Sequence, residues 1–186
     1  MITREQALEL LRDNTPDIHL VNHALETEAV LRGLARELDE DADLWGLTGL
    51  LHDLDYAATQ DSPERHGLAA ADMLQGKLPD QALQAIRAHN GERNNTAPQS
   101  RLDFALRCGE SVTGLGSASA LVRPQGMQGM KAKSLKKKMK DKSFAAKVNR
   151  ENIRECEHLG LDLSRFLDIA VSSITPIAEQ VGLSRE

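Results

Sequence analysis

The stretch Leu44-Trp45-Gly46-Leu47-Thr48-Gly49-Leu50-Leu51-His52-Asp53-Leu54 decides how this chain is to be read. At the helical period Leu47, Leu50, Leu51 and Leu54 share one face, while His52 and Asp53 point off the opposite side with Trp45 and Gly49. That side is apolar too, and a helix apolar nearly all round is a buried one. An ionised carboxylate inside a protein is costly unless it is paired or coordinates a metal. A metal accounts for both polar residues at once; for the dipeptide alone, a satisfied hydrogen-bonded pair or a helix cap is the alternative.

Working outward, His23 lies upstream in Val21-Asn22-His23-Ala24-Leu25-Glu26, and His89 lies downstream in Ala85-Ile86-Arg87-Ala88-His89-Asn90. Between them, His66 sits in Glu64-Arg65-His66-Gly67. Four of the six histidines thus fall in or beside apolar-periodic segments, where neutral imidazole can serve as a ligand. Without a metal, His66 reads as a surface histidine at a helix start and His89 as a helix-terminal one facing the dipole.

The order His23, His52-Asp53, His66, His89 and then an acid in Cys108-Gly109-Glu110-Ser111-Val112-Thr113-Gly114-Leu115 resembles the HD-domain metal-dependent phosphohydrolases. The words Gly49-Leu50-Leu51-His52-Asp53-Leu54-Asp55-Tyr56, Arg65-His66-Gly67-Leu68-Ala69-Ala70-Ala71 and Thr113-Gly114-Leu115 carry the same likeness. It spans roughly residues 18 to 115, and the downstream segment also looks like that of HDIG-type members.

The resemblance implies an all-α HD-domain helical bundle whose helices converge on a metal centre. It makes His52 and Asp53 the catalytic pair, with His23, His52, Asp53 and Glu110 around one metal. In the two-ion form, which is the expectation here, Asp53 bridges to a second ion held by His66 and His89. Asp55 and Asn90 would orient the ligands from behind. The cofactor is then one or two divalent transition metal ions, Fe or Mn favoured, with Co, Ni and Zn open to the same imidazole and carboxylate set. Such cations acidify water and stabilise charge on phosphoryl oxygens, which implies hydrolysis of a nucleotide or another small phosphorylated substrate. One position departs from the family: its last ligand is an Asp, and Glu110 reaches about 1.5 Å farther. Asp103, two turns earlier on much the same face, is a weaker substitute.

Apolar residues recur at helical intervals throughout, and long Val/Ile/Thr runs are absent. Thr3 with Gln6 predicts a capping box for a first helix. A second helix over 17–38 carries His23, and a third beginning near 41–43 carries the His-Asp pair. Pro63 and Pro79 suit the first turns of two shorter helices, and residues 90–99 read as a loop before the helix bearing Glu110. Gly114, Gly116, Gly126 and Gly129 suggest turns, and none has P-loop spacing.

Charge is segregated. From Leu121 to Arg150 there are ten Lys or Arg against one acid, a balance of +9 in a chain whose total is −5, leaving −14 elsewhere. Leu135, Met139, Phe144 and Val148 are spaced as one helix face, which predicts an ordered amphipathic segment docked by that stripe. Arg123, Lys136 and Lys137 are candidate phosphate contacts. Nucleic acid is disfavoured as a partner, because aromatics are 3% of the chain and its net charge is negative. From about Glu151 helical periodicity resumes through Ile153, Cys156, Leu159, Phe166, Ile169, Ala170, Ile174 and Ile177, with Pro176 ending the last helix. We therefore divide the chain into an HD metal-binding domain, residues 1–120, and a basic segment with a C-terminal helical extension, residues 121–186, packed on the same core. The last apolar stripe reads as core, and a homodimer seam is its alternative use.

At 186 residues the chain is long enough for a real core. Two cysteines without metal-type spacing, no spanning apolar run and a polar N-terminus point to a cytoplasmic protein that does not enter membranes. The competing functional readings are a weakly active or non-catalytic HD regulatory module and a di-iron oxygenase on a related helical scaffold. Metal content, phosphate release and oxygen consumption separate the three.

Overall fold

The computed structural model describes residues 1–185. Helix starts follow from side chains that replace the partners first-turn N–H groups lack. In α1 (Arg4–Asn14), Gln6 N–H donates to Thr3 Oγ1 at 3.3 Å and Thr3 N–H to Gln6 Oε1 at 2.9 Å, the expected capping box. Asp17 accepts from His19 N–H to open α2 (Ile18–Glu37), and Asp41 accepts from Asp43 and Leu44 N–H to open α3 (Ala42–Leu51). A second capping box, Ser100 with Asp103, opens α8 (Arg101–Leu121). Asp103 is thereby engaged: its carboxylate accepts from the N–H of Gln99 and of Ser100 and from Ser100 Oγ, which removes it as a substitute ligand.

Between α3 and α8 run four short helices, α4 (Tyr56–Thr59), α5 (Leu68–Met73), α6 (Asp80–Ala88) and α7 (Gly91–Asn94). After α8 come α9 (Ala132–Lys140), α10 (Arg150–Arg154) with a 3-10 turn at Glu155–Leu159, and α11 (Leu163–Ile174) with another at Thr175–Ile177. No strand occurs among the described residues. Helix α2 is the axis on which α3, α8 and α11 lie. Leu31, Leu34, Leu50, Leu51, Leu106, Leu115 and Phe166 are each under 2% exposed, and each such side chain contributes about 1.5–3 kcal/mol of burial. The crossing of α8 over α2 is close enough that a Cβ on Gly109 would stand 2.5 Å from Leu31 Cδ1. The apolar core runs without a break from Ala7 to Leu183, so α9, α10 and α11 share it with the helices around His52. No helix among the described residues is long and apolar enough to cross a membrane.

Several local expectations change. The helix that reads through Leu54 stops at Leu51, and His52 to Asp55 continue in tighter turns, with Leu54 N–H on Leu51 O and Tyr56 N–H on Asp53 O. Pro63 lies among turns rather than in a helix, Pro79 sits at the N-cap of α6, and the 90–99 loop contains the single turn α7. Gly114 and Gly116 are inside α8, where packing against neighbours overrides their low propensity, whereas Gly126 and Gly129 do make turns. Helix α9 buries Ala132, Leu135 and Met139 and leaves Lys133, Lys136, Lys137 and Lys140 exposed. It ends at Lys140 because Asp141 accepts from Ser143 and Phe144 N–H, so Phe144 and Val148 reach the core from turns instead of extending the helix face.

Candidate metal centre

Four histidines arrive from four separate segments: His23 from the second turn of α2, His52 from the end of α3, His66 from the turns before α5 and His89 from the end of α6. They surround Asp53. Its Oδ1 stands 3.3 Å from His52 Nε2, 3.2 Å from His66 Nε2 and 3.4 Å from His89 Nε2, and its Oδ2 3.7 Å from His23 Nε2. His23 Nε2 is 3.3 Å from His52 Nε2, and His66 Nε2 is 3.0 Å from His89 Nε2. Two trios result, His23-His52-Asp53 and Asp53-His66-His89, with ligand atoms of each trio within 4.8 Å of one another.

The opposite ring nitrogens are all held by oxygen. His52 Nδ1 donates to Gly49 O at 2.8 Å, His89 Nδ1 to Ile86 O at 2.5 Å and His66 Nδ1 to Asp55 Oδ1 at 2.8 Å. His23 Nδ1 lies 2.9 Å from Thr113 Oγ1, whose own proton goes to Glu110 O, so the hydroxyl can only accept from the ring. A ring with a single proton, held on Nδ1, turns a bare Nε2 lone pair toward the neighbouring rings and a carboxylate. Lone pairs at 3.0–3.3 Å repel unless a proton or a metal ion lies among them. Atoms bound at about 2.1 Å to a common ion stand about 3.0–3.4 Å apart at octahedral to tetrahedral angles, so the donor set fits a metal.

The electrostatics agree. Burial pushes His52 down to about 3, against the upward pull of Asp53, so that ring is neutral. Asp53 is held well below the usual carboxylate range: burial raises it, but His52, His66, His89 and His23 together overcome that. Burial lowers His66 too, yet Asp53 and Asp55 raise it to about 9, so without a metal this ring carries the compensating proton. Asp55, almost fully buried, also accepts from Gly67 N–H at 2.8 Å and Ala70 N–H at 3.0 Å, tying the start of α5 to the ring. Asn90 Nδ2 donates to Pro63 O and His66 O from the other side. Gly67 has a φ of 82°, and a Cβ there would meet Ile86 O at 2.7 Å and His89 Cε1 at 3.1 Å, so His66 and His89 close on each other only across a glycine.

Glu110 joins neither trio. Its carboxylate accepts from Ser111 Oγ, and burial raises it above the usual carboxylate range despite the opposing pull of His23. The basic candidates also lie elsewhere, because the apolar face of α9 docks on α11 and turns its lysines away from the histidines. Lys136 Nζ donates to Ser164 Oγ in a groove of about 720 Å³ between α9 and α11, Lys137 is exposed on α9, and Arg123 donates to Gln128 O.

Two smaller clefts do reach the histidines. One of about 620 Å³ is lined by His66, Asn90, Tyr56 and Arg93; the other, about 290 Å³, by His23, Glu26, Thr113 and Ser117 beneath the Val181–Leu183 turn. Glu26 is buried and accepts from Ser117 Oγ; burial lifts its carboxyl to about 7 against that bond and the nearby His23. Spacing and motif give no role to Tyr56, Arg93, Glu26, Thr113 or Arg107. Arg107 had a signal: like the His52-Asp53 pair, it is a charge in an apolar stretch, Ala105-Leu106-Arg107-Cys108.

The family model described as the HD domain matches residues 20–143. Comparisons with curated proteins and with solved structures each found no match.

Proposed function

The chain belongs to the HD domain family, an all-α bundle, and on that premise we propose that it is a metal-dependent phosphohydrolase acting on a nucleotide or a similar small phosphorylated compound. The observation that carries this reading is the set of four imidazoles whose Nδ1 protons are committed to oxygen and whose Nε2 atoms face Asp53. In the proposal His23, His52 and Asp53 hold one ion and Asp53, His66 and His89 a second, and Glu110 is a sixth ligand whose carboxylate must leave Ser111 to join. When bound, the divalent ions supply an acidified water and positive charge for phosphoryl oxygens.

The chain's own groups do the rest. Burial keeps His52 neutral, and Asp55, Thr113 and the carbonyls of Gly49 and Ile86 fix ring orientation and tautomer. Glu26 can hold a proton near neutrality at the His23 side. Substrate enters by the cleft beside His66. Tyr56 is the one aromatic side chain among the described residues that is exposed, at 41%, and its ring stands edge-on 5.4 Å from that of His66. It offers a stacking surface to a base. Arg93, exposed on the same cleft, takes over the phosphate contact first sought at Arg123, Lys136 and Lys137.

The HDIG-type assignment rests on the likeness of the segment downstream of residue 115, and the cytoplasmic one on the free, buried thiols of Cys108 and Cys156. The division at residue 120 is part of the same proposal.

The test is metal content of protein purified without chelator, together with phosphate release from a panel of nucleotides and other phosphoesters. One or two transition ions with release, both lost in His52→Ala and Asp53→Ala, are expected; unchanged stoichiometry in both variants refutes the centre. The position of Glu110 against Ser111 favours, as second reading, a weakly active regulatory module. Metal uptake without phosphate release from any substrate would select it.

A further inference from the structure

Arg107 lies in the middle of α8 and is only 4% exposed, yet it carries a charge. Every N–H of its guanidinium is spent. Nη1 donates to Ala88 O at 3.0 Å and His89 O at 3.4 Å, the last carbonyls of α6, and to Glu92 Oε2 at 3.1 Å. Nε donates to Glu155 Oε2 at 2.6 Å, and Nη2 to Glu155 Oε1 at 2.8 Å, to Asn152 Oδ1 at 3.1 Å and to Glu92. The carbonyls it takes are among those a helix end leaves without partners, and a cation there also suits the dipole. It therefore caps the helix that presents His89.

The fork is held from outside the family match. Asn152 and Glu155 belong to α10 and the 3-10 turn after it, beyond residue 143, where the match ends. Glu155 meets the guanidinium with two parallel bonds, the geometry that fixes an arginine rather than merely neutralising it. Glu92 also meets it with two bonds, but its side chain is 53% exposed against 20% for Glu155. The more buried anchor is thus the C-terminal one.

We infer that Glu155 and Asn152, acting through Arg107 on the end of α6, position His89, so that the C-terminal segment sets how tightly the Asp53-His66-His89 trio holds its ion. This rests on the two-ion reading above. Arg107 is a positioning residue: it touches the backbone of a ligand and no ligand atom. The trio His23-His52-Asp53 has no member on α6 and meets the other trio only through Asp53.

The experiment is equilibrium titration of chelator-stripped protein with Co(II), read by absorbance, which resolves two equivalents by their affinities. Glu155→Gln, Asn152→Ala and Arg107→Lys each remove charge or geometry from the fork, and Arg154→Gln, which alters only an exposed pair with Glu151, is the control. The expected result is a 10–100-fold weaker second equivalent, the range for lost outer supports of a metal ligand, with the first equivalent within twofold of wild type. Urea unfolding of the metal-free variants separates this from general loosening, and Asn152→Ala, which removes a single bond, serves if Arg107→Lys does not fold. Equal weakening of both equivalents, or no weakening, overturns the relay while wild type still binds two ions. A wild-type chain that binds none overturns the metal centre itself and the relay with it.

Discussion

Replacing Asp55 by Asn should weaken one ion and spare the other. The carboxylate accepts three bonds, from His66 Nδ1, Gly67 N–H and Ala70 N–H, at 2.8, 2.8 and 3.0 Å. An amide has one oxygen. If that oxygen stays on the two backbone donors, the NH₂ faces His66 Nδ1, which must then accept, and the ring proton moves to Nε2. A protonated Nε2 is no ligand, so the Asp53-His66-His89 trio loses one of its three groups, while His23 and His52 keep their own anchors. Charge-assisted bonds contribute about 1.5–3 kcal/mol each and neutral ones about 0.5–1.5, so downgrading three should cost about 3 kcal/mol of stability in the metal-free protein. Loss of such a support should weaken the second ion about 10–100-fold. Co(II) titration and urea unfolding read the two quantities separately. A second equivalent as tight as in wild type, or both equivalents weakened alike, would refute the tautomer argument.

Gly67→Ala should cost about 3 kcal/mol, since a Cβ at φ 82° is strained and would stand 2.7 Å from Ile86 O; a thermal midpoint within a degree of wild type would contradict it. Metal entry at pH 7.5 should release about one proton, from His66 at about 9 and none from His52 at about 3, as calorimetry in buffers of different ionisation enthalpy will show. In the metal-free protein, the folded pKa of His66 lies above its ordinary 6.5, so its contribution, about 3 kcal/mol, is full below 6.5 and fades as pH rises through about 9. Glu26 acts in the same direction over a lower window: raised from 4.5 to about 7, it leaves stability untouched below 4.5 and erodes it by about 3 kcal/mol as pH rises from 4.5 to about 7. Glu26→Gln should therefore gain on wild type between pH 4.5 and 8 in denaturant midpoints, and a constant difference across that range would be the wrong outcome.

The helices were legible where local chemistry specifies them. Thr3 with Gln6, the apolar stripe of α9 and the stop before Pro176 needed no tertiary knowledge. The ligand residues were legible as types in an order, because an imidazole or carboxylate stands out in an apolar stretch. Their meeting was not, since it depends on four segments closing around Asp53. Glu110 shows the limit most clearly: its position along the chain suits a ligand, but its side chain is taken by Ser111, a contact between neighbours that spacing cannot rank against a distant one. Likewise the lysines of the basic segment invited a phosphate role by charge alone, and docking of α9 on α11 turned them elsewhere. Arg93 is not legible because one exposed arginine in a loop has no pattern; only the cleft gives it meaning.

The lysines of α9 supply half of the ten positive charges that residues 121–150 carry. A flank with a balance of +9 against −14 over the remainder behaves as two surfaces of opposite sign rather than as one body of −5. Exchange resins of either sign should retain it at low ionic strength, and two copies should attract flank to remainder. At about 0.15 M salt the screening length shortens to about 8 Å, and both behaviours should fade together.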